Sequence, residues 1–227
     1  MMNNNYNKIW LIEIPQMILV LFIIFQIIAM ITYSGGTFFD HGNPSYSFTR
    51  NFLSDLGRTE GFSGDINYIA SLFFNISIII VGVVFIKFYI NIHNIFVEYN
   101  YMNLASIGSM LGIMGGVSLA GVGFTPANLY LPAHIIAATW MFRFFFGASL
   151  CYSYIIYFTD FIENKYALYY LAFAFSILAY IFISELGPSP KESELALTIQ
   201  VISQKIILLI LVITVYLQSL GIQKLRI

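Results

Sequence analysis

The sequence predicts an all-α integral membrane protein whose single domain is a bundle of six transmembrane helices. Apolar residues make up 59% of its 227 residues, and the mean hydropathy is +0.82, which exceeds what the core of an ordinary globular domain requires. Six apolar stretches also approach or exceed the roughly 20 residues that cross a bilayer, the fifth lying near the lower limit. The predicted spans are 10–33, 66–90, 103–124, 135–158, 168–183 and 198–220.

The first span raises the question of a signal peptide, because the small residues Ser34, Gly35 and Gly36 follow it. Its apolar run is longer than the roughly 7 to 15 residues of a secretory signal, and only Lys8 precedes it as a basic residue. We therefore expect a retained membrane anchor.

The third span carries small residues four positions apart, at Gly108, Gly112, Gly116 and Ala120. This spacing leaves one side of a helix almost without side chains, so that a neighbouring helix can approach closely. We expect the third helix to pack centrally in the bundle.

An even number of spans places both termini on one side of the membrane. By the positive-inside rule that side is cytoplasmic, and we expect the protein in the plasma membrane. The basic residues predicted on the cytoplasmic side are Lys8, Lys87, Lys165, Lys224 and Arg226. The acidic residues predicted on the outer side are Asp40, Asp55, Glu60, Asp65, Glu185, Glu192 and Glu194. Three loops, at 34–65, around 123–134 and at 184–194, are expected to meet there.

The charge and cysteine content exclude several classes of function. The net charge of −1 provides no basic field for nucleic acid, so membrane lipids are the expected partners. A single cysteine, Cys151, cannot form an intramolecular disulfide or a thiolate metal cluster. No cofactor is predicted.

Two basic residues lie inside predicted spans, Arg143 in the fourth and Lys205 in the sixth. A cation at mid-membrane costs roughly 2.5 to 3.5 kcal/mol on insertion scales, so each needs a partner, a wet cavity or a route by which to snorkel. We predict an outward-facing polar chamber in which both residues bind a lipid or amphiphilic anion. Asp55 and Glu185 are their predicted counter-charges.

Two other interpretations stay open. A membrane-embedded hydrolase or transferase acting on lipid headgroups could use Asp55, His41 and His134 as acid and base. No HExxH, CxxC or GxSxG motif supports this chemistry, and no metal site is predicted. The polar residues could instead form internal ion pairs in a structural or partner-binding membrane protein.

The segment "RNFLSDLGRTEG", followed by a second span and then by "GVGFTPANLYLPAHIIAA", resembles the family catalogued as domain of unknown function 998. That family comprises bacterial and archaeal membrane proteins, and the likeness covers residues 10–220. It implies a six-helix bundle without an assigned activity. The positions that match its pattern are Asn51, Ser54, Asp55, Gly57, Pro126 and His134. The "SDLG" turn is also similar to a signature of Frag1/DRAM/Sfk1 membrane proteins, some of which take part in lipid sorting.

Overall fold

A computed structural model describes residues 8–96, 102–159 and 162–224 of the chain. Over these residues the protein is all-helical, with six long helices and no β-strand. A π-helical turn, Ile9–Glu13, leads into the first helix, and a short 3-10 helix, Leu53–Gly57, lies between the first two. The helices are α1 (Ile14–Thr32), α2 (Tyr68–Phe96), α3 (Met102–Phe124), α4 (Leu131–Phe158), α5 (Lys165–Leu186) and α6 (Glu194–Gln223).

Each of the six predicted spans corresponds to one helix that is long and apolar enough to cross a membrane. Several helices extend beyond the apolar run that predicted them. The sixth span was expected from residue 198, but α6 begins at Glu194 because the Ser193 side chain accepts a hydrogen bond from the Ala196 N–H at 3.2 Å. Hydropathy thus locates the apolar part of each helix, whereas a capping group sets the start of α6.

Consecutive helices pack side by side, from α1 against α2 through to α5 against α6, and α6 returns to contact α1. The helices therefore follow one another around the bundle in chain order. Alternate connections lie at the same end, so the segments 33–67, 125–130 and 187–193 share what we call the long-loop end. Direct contact confirms this for two of them, because Asn128 Oδ1 accepts a hydrogen bond from the Thr59 N–H at 3.0 Å.

The small residues of α3 lie where other elements approach most closely. A Cβ atom built on Gly116 would lie 2.8 Å from the carbonyl oxygen of Gly82 on α2, and one on Gly112 would lie 2.3 Å from the Tyr89 ring. Gly108 meets Cys151 on α4 in the same way, at 2.9 Å. The close helix approach predicted from this stripe is confirmed, since α3 contacts both α2 and α4 through it. The predicted central position is not found, because α3 packs between these two neighbours around the bundle.

Candidate functional site

Residues 51–58 of the loop after α1, which we call the inserted segment, fold back into the long-loop end of the bundle and form the first half of the charge-rich sequence 51–65. The 3-10 helix of this segment is buried, with Leu56 fully inaccessible and Asp55 only 7% exposed. The Gly57 carbonyl accepts hydrogen bonds from Ser71 Oγ and Asn75 Nδ2 of α2, both at 3.0 Å. These bonds satisfy backbone groups that would otherwise be buried without partners, which is what permits an irregular segment at this position.

Helix α6 holds the other side of this segment with two polar side chains. Gln204 Oε1 accepts a hydrogen bond from the Leu53 N–H at 2.7 Å, and Lys205 Nζ donates to the Asn51 carbonyl oxygen at 2.7 Å. The Lys205 ammonium also lies 5.4 Å from the ring centre of Tyr46. Polar residues of α6 that the sequence places inside a span therefore serve to bind the inserted segment.

A cavity of about 490 Å³ lies directly beneath the inserted segment. It is lined by side chains from α2 to α6 and from the long-loop end. Its floor is apolar and includes Phe145 of α4, Phe173 of α5 and Leu211 of α6. The size falls within the roughly 300 to 1,000 Å³ of small-molecule sites.

The exposure of the cavity-lining face of α4 shows where the cavity opens. Leu131 and Ile135, at the start of the helix, are 46% and 53% exposed, whereas Phe145 is 3% exposed. These residues lie on one helix face because their spacing follows the helical repeat. The mouth therefore lies at the long-loop end and the floor lies inside the bundle.

The mouth of the cavity is lined by three basic residues and one carboxylate, namely Arg50, Arg58, Lys191 and Asp55. Arg58 is half-buried, its Nε donates to the Glu60 carbonyl oxygen at 3.2 Å, and its guanidinium carbon lies 4.1 Å from the ring centre of Phe62. Arg50 pairs with Glu194 at 3.5 Å, with both side chains well exposed. The lining side chains of the mouth thus carry a net positive charge.

Asp55 is the buried carboxylate of this mouth. Its Oδ2 accepts a hydrogen bond from the Phe52 N–H at 2.8 Å. Burial raises the pKa of this carboxyl from its ordinary 3.8 to about 6, and the nearby Arg58 guanidinium and the Phe52 N–H limit the rise. The carboxyl therefore changes charge within a mildly acidic pH range.

The structure places the predicted basic residues in separate surroundings. Arg143 Nη2 forms an ion pair with Glu185 Oε1 at 2.5 Å, and its Nη1 donates to the Thr139 carbonyl oxygen at 3.2 Å. Lys205 instead donates a hydrogen bond to the Asn51 carbonyl oxygen. Neither Arg143 nor Lys205 is among the residues that line the cavity, whereas Asp55 is. Arg143 thus pairs with Glu185, one of the two counter-charges predicted for the basic residues, and this ion pair connects α4 to the end of α5.

The two predicted histidines also differ in position. His134 is buried, lines the cavity, and its Nδ1 lies 2.7 Å from the Thr125 carbonyl oxygen. His41 is exposed, and its Nδ1 lies 2.6 Å from the Phe62 carbonyl oxygen. Asp55 and His134 therefore share the cavity, while His41 belongs to the loop outside it. Within the described residues, no three His, Cys, Asp or Glu side chains form a group that could hold a metal ion.

The sequence prediction did not assign Arg50, Arg58 and Lys191 to the site. Arg58 could have been found, because it lies three residues after Asp55 in the segment whose charge density is exceptional for this chain. Arg50 and Lys191 have no such local signal, since each is an exposed loop residue that only the folding of the loops brings to the cavity.

No protein-family model, curated protein or solved structure matches this chain. The resemblance to the domain of unknown function 998 family, and the shorter one to Frag1/DRAM/Sfk1 proteins, therefore stay predictions.

Proposed function

We propose that the protein binds or handles a lipid or another anionic amphiphile of the membrane in the cavity beneath the inserted segment. The observation that carries the proposal is the division of the cavity lining. The interior is apolar down to Phe145 and Leu211, and the mouth carries three basic residues against one carboxylate. An amphiphile with a hydrocarbon tail and a negatively charged headgroup matches both parts.

Each half of such a ligand has a physical reason to bind. Apolar surface removed from water contributes roughly 25 cal/mol per Å², which favours a tail in the interior over a tail in solution. In the mouth, Arg58 offers a planar guanidinium that suits phosphate or carboxylate, while Lys191 offers a compact point charge. In this proposal neither Arg143 nor Lys205 contacts the ligand, because neither side chain lines the cavity.

The orientation of the protein in the membrane is part of the same proposal. Over the described residues, Lys8, Lys165 and Lys224 lie at the end of the bundle opposite the long-loop end. A cytoplasmic location for these residues follows the positive-inside rule and turns the cavity mouth towards the outer leaflet of the plasma membrane. Arg226, which was counted on the same side, lies outside the described residues.

Native mass spectrometry of the full-length protein, extracted together with its surrounding membrane, tests the proposal. Wild type is compared with Arg58→Gln and with Arg143→Gln, which removes the same charge outside the cavity. We expect a discrete anionic amphiphile on wild type and on Arg143→Gln, and at least a tenfold loss of affinity for it in Arg58→Gln. A hydrogen bond to a charged group contributes about 1.5 to 3 kcal/mol, and about 1.4 kcal/mol is tenfold.

Two results would contradict this assignment. Absence of any retained amphiphile from a folded wild-type protein would leave the charges with a structural or partner-binding role. Loss of the amphiphile in Arg143→Gln but not in Arg58→Gln would return the anion contact to Arg143, as the sequence alone predicted. Thermal unfolding of each variant serves as the control for folding.

A lipid-headgroup hydrolase or transferase is the second candidate, and it is favoured by the presence of Asp55 and His134 in one cavity. A carboxyl whose pKa lies near 6 is suited to proton transfer close to neutral pH. The enzyme interpretation predicts that His134→Ala and Asp55→Asn abolish turnover of an anionic lipid while the protein still binds it. His41→Ala is the matched control, because His41 lies outside the cavity. Equal turnover in all three variants would exclude this chemistry.

A further inference from the structure

A second, much smaller cavity lies beneath the floor of the first. Its volume is about 20 Å³. Phe145, Phe173 and Leu211 line both cavities, so these apolar side chains form the wall between them. The second cavity therefore lies inside the bundle, further from the long-loop end than the first.

Polar side chains follow the apolar floor on each of the three helices that supply it. The pairs of floor residue and polar residue that line the second cavity are Phe145 and Ser149 on α4, Phe173 and Tyr170 on α5, and Leu211 and Thr214 on α6. Members of a pair are three or four positions apart, so they lie on the same helix face, one turn from each other. A polar layer thus lies below the floor, and Gln218 of α6 also lines it.

Two hydroxyl groups of this layer are buried and have no hydrogen-bond partner among the described residues. They are Ser149 Oγ and Tyr170 Oη, and their residues are only 1% and 2% exposed. A buried hydroxyl group without a hydrogen bond destabilises the folded protein, and hydrocarbon around a membrane helix offers it no partner. The two groups therefore need a hydrogen-bonding partner inside the cavity.

The size and the lining of the cavity match a water molecule. A buried water needs roughly 10 to 15 Å³ and roughly two to four polar partners. The volume of about 20 Å³ meets the first condition, and Ser149 and Tyr170 meet the second, with Thr214 and Gln218 beside them. A cation fits less well, because no carboxylate among the described residues lines the cavity to balance its charge.

We infer that the second cavity is a binding site for an ordered water molecule that forms hydrogen bonds with Ser149 Oγ and Tyr170 Oη. This water joins α4 to α5. A third hydrogen bond, to Thr214 or Gln218, extends the connection to α6, which is not a neighbour of α4 around the bundle. None of these polar residues lines the larger cavity, so the water site is separate from the proposed amphiphile site.

A crystal structure of the full-length protein in a lipidic mesophase, in which ordered waters are visible, tests the site directly. We expect one density peak within hydrogen-bond distance of both hydroxyl groups. Absence of this peak, when other buried waters are resolved, overturns the inference. Unfolding in sodium chloride and in the chloride of a bulky organic cation is the control for a bound ion, and stabilisation that requires sodium would replace the water by a cation.

A double-mutant cycle of Ser149→Ala and Tyr170→Phe tests whether one water serves both groups. Each single variant loses a hydrogen bond to the water, so we expect its unfolding equilibrium constant in SDS to rise roughly two- to tenfold. We expect the double variant to be affected less than the product of the two single effects, because both changes remove the same bridge. Ser153→Ala is the matched control on α4. Its hydroxyl group is buried but donates to the Ala167 carbonyl oxygen at 2.9 Å, so its effect should multiply with that of Tyr170→Phe.

A dry cavity predicts the opposite sign. Removal of a hydroxyl group that has no partner would stabilise the protein, so two single variants that are more stable than wild type overturn the inference. Independent effects of Ser149→Ala and Tyr170→Phe would show that no single water joins α4 to α5. If a variant does not fold, the density in the wild-type crystal structure decides.

Discussion

Replacing Asp55 by Asn is expected to stabilise the protein at alkaline pH and to remove part of the pH dependence of its stability. The carboxyl is 7% exposed, and burial raises its pKa from 3.8 to about 6. A raised pKa means that the folded protein favours the neutral acid. The resulting contribution to stability is complete below pH 4, where the unfolded chain is also protonated, and is lost as the pH rises through about 6.

The magnitude follows from the two pKa values. At about 1.4 kcal/mol per pKa unit, a rise from 3.8 to about 6 makes the folded state about 3 kcal/mol less stable at pH 8 than it is with a neutral group at this position. About half of this change, roughly 1.4 kcal/mol, develops between pH 5 and pH 8. Asparagine is neutral throughout and keeps an oxygen that can accept the hydrogen bond from Phe52.

SDS-induced unfolding in mixed micelles, followed by circular dichroism at pH 5 and pH 8, measures this effect. From pH 5 to pH 8 we expect the free energy of unfolding of wild type to fall by about 1.4 kcal/mol more than that of Asp55→Asn. We also expect the variant to be the more stable protein at pH 8. The same pH dependence in both proteins, or a lower stability of Asp55→Asn at pH 8, would show that burial does not destabilise the Asp55 carboxylate.

Three further predictions concern packing and backbone hydrogen bonds, and each is measured as a change in the free energy of unfolding in the same assay. Gly57→Ala should lower the free energy of unfolding by about 1 to 3 kcal/mol, because the new Cβ would lie 2.6 Å from Asn75 Oδ1. An unchanged stability would show that the inserted segment can shift freely. Gly116→Ala should destabilise the protein by a similar amount, because its Cβ would lie 2.8 Å from the Gly82 carbonyl oxygen of α2. Gly121→Ala should instead stabilise the protein by about 0.5 to 1 kcal/mol, because its Cβ would lie 3.4 Å from its nearest neighbour, the Cβ of Ala137. Equal effects at the two glycines would contradict the packing described for α3. Gln204→Leu should lower the free energy of unfolding by about 1 to 3 kcal/mol, because it leaves the Leu53 N–H, at the start of the 3-10 helix, without its acceptor. An unchanged stability would show that another group accepts this hydrogen bond.

The site itself was only partly accessible from the sequence. Asp55 was identified because a cluster of charges is exceptional in so apolar a chain. Glu185 was predicted as a counter-charge of Arg143 and Lys205 without a specific partner, and it pairs with Arg143. Lys205 was identified because a charge inside a span is energetically unfavourable. Its hydrogen bond to the Asn51 carbonyl depends on the inserted segment, which hydropathy does not reveal. The same segment brings Arg58 to the mouth of the cavity.

The sequence by itself determined the all-helical class, the six apolar spans and the close packing of α3, because these depend on the length of apolar runs and on spacing along one helix. Only the tertiary structure decided which charged side chains line the cavity and which form hydrogen bonds with backbone groups. That choice depends on contacts between residues more than a hundred positions apart, such as Leu53 with Gln204. The length of an apolar run predicts a helix that is long enough to cross a membrane, whereas the partner of each buried polar group is set by the packing of the whole bundle.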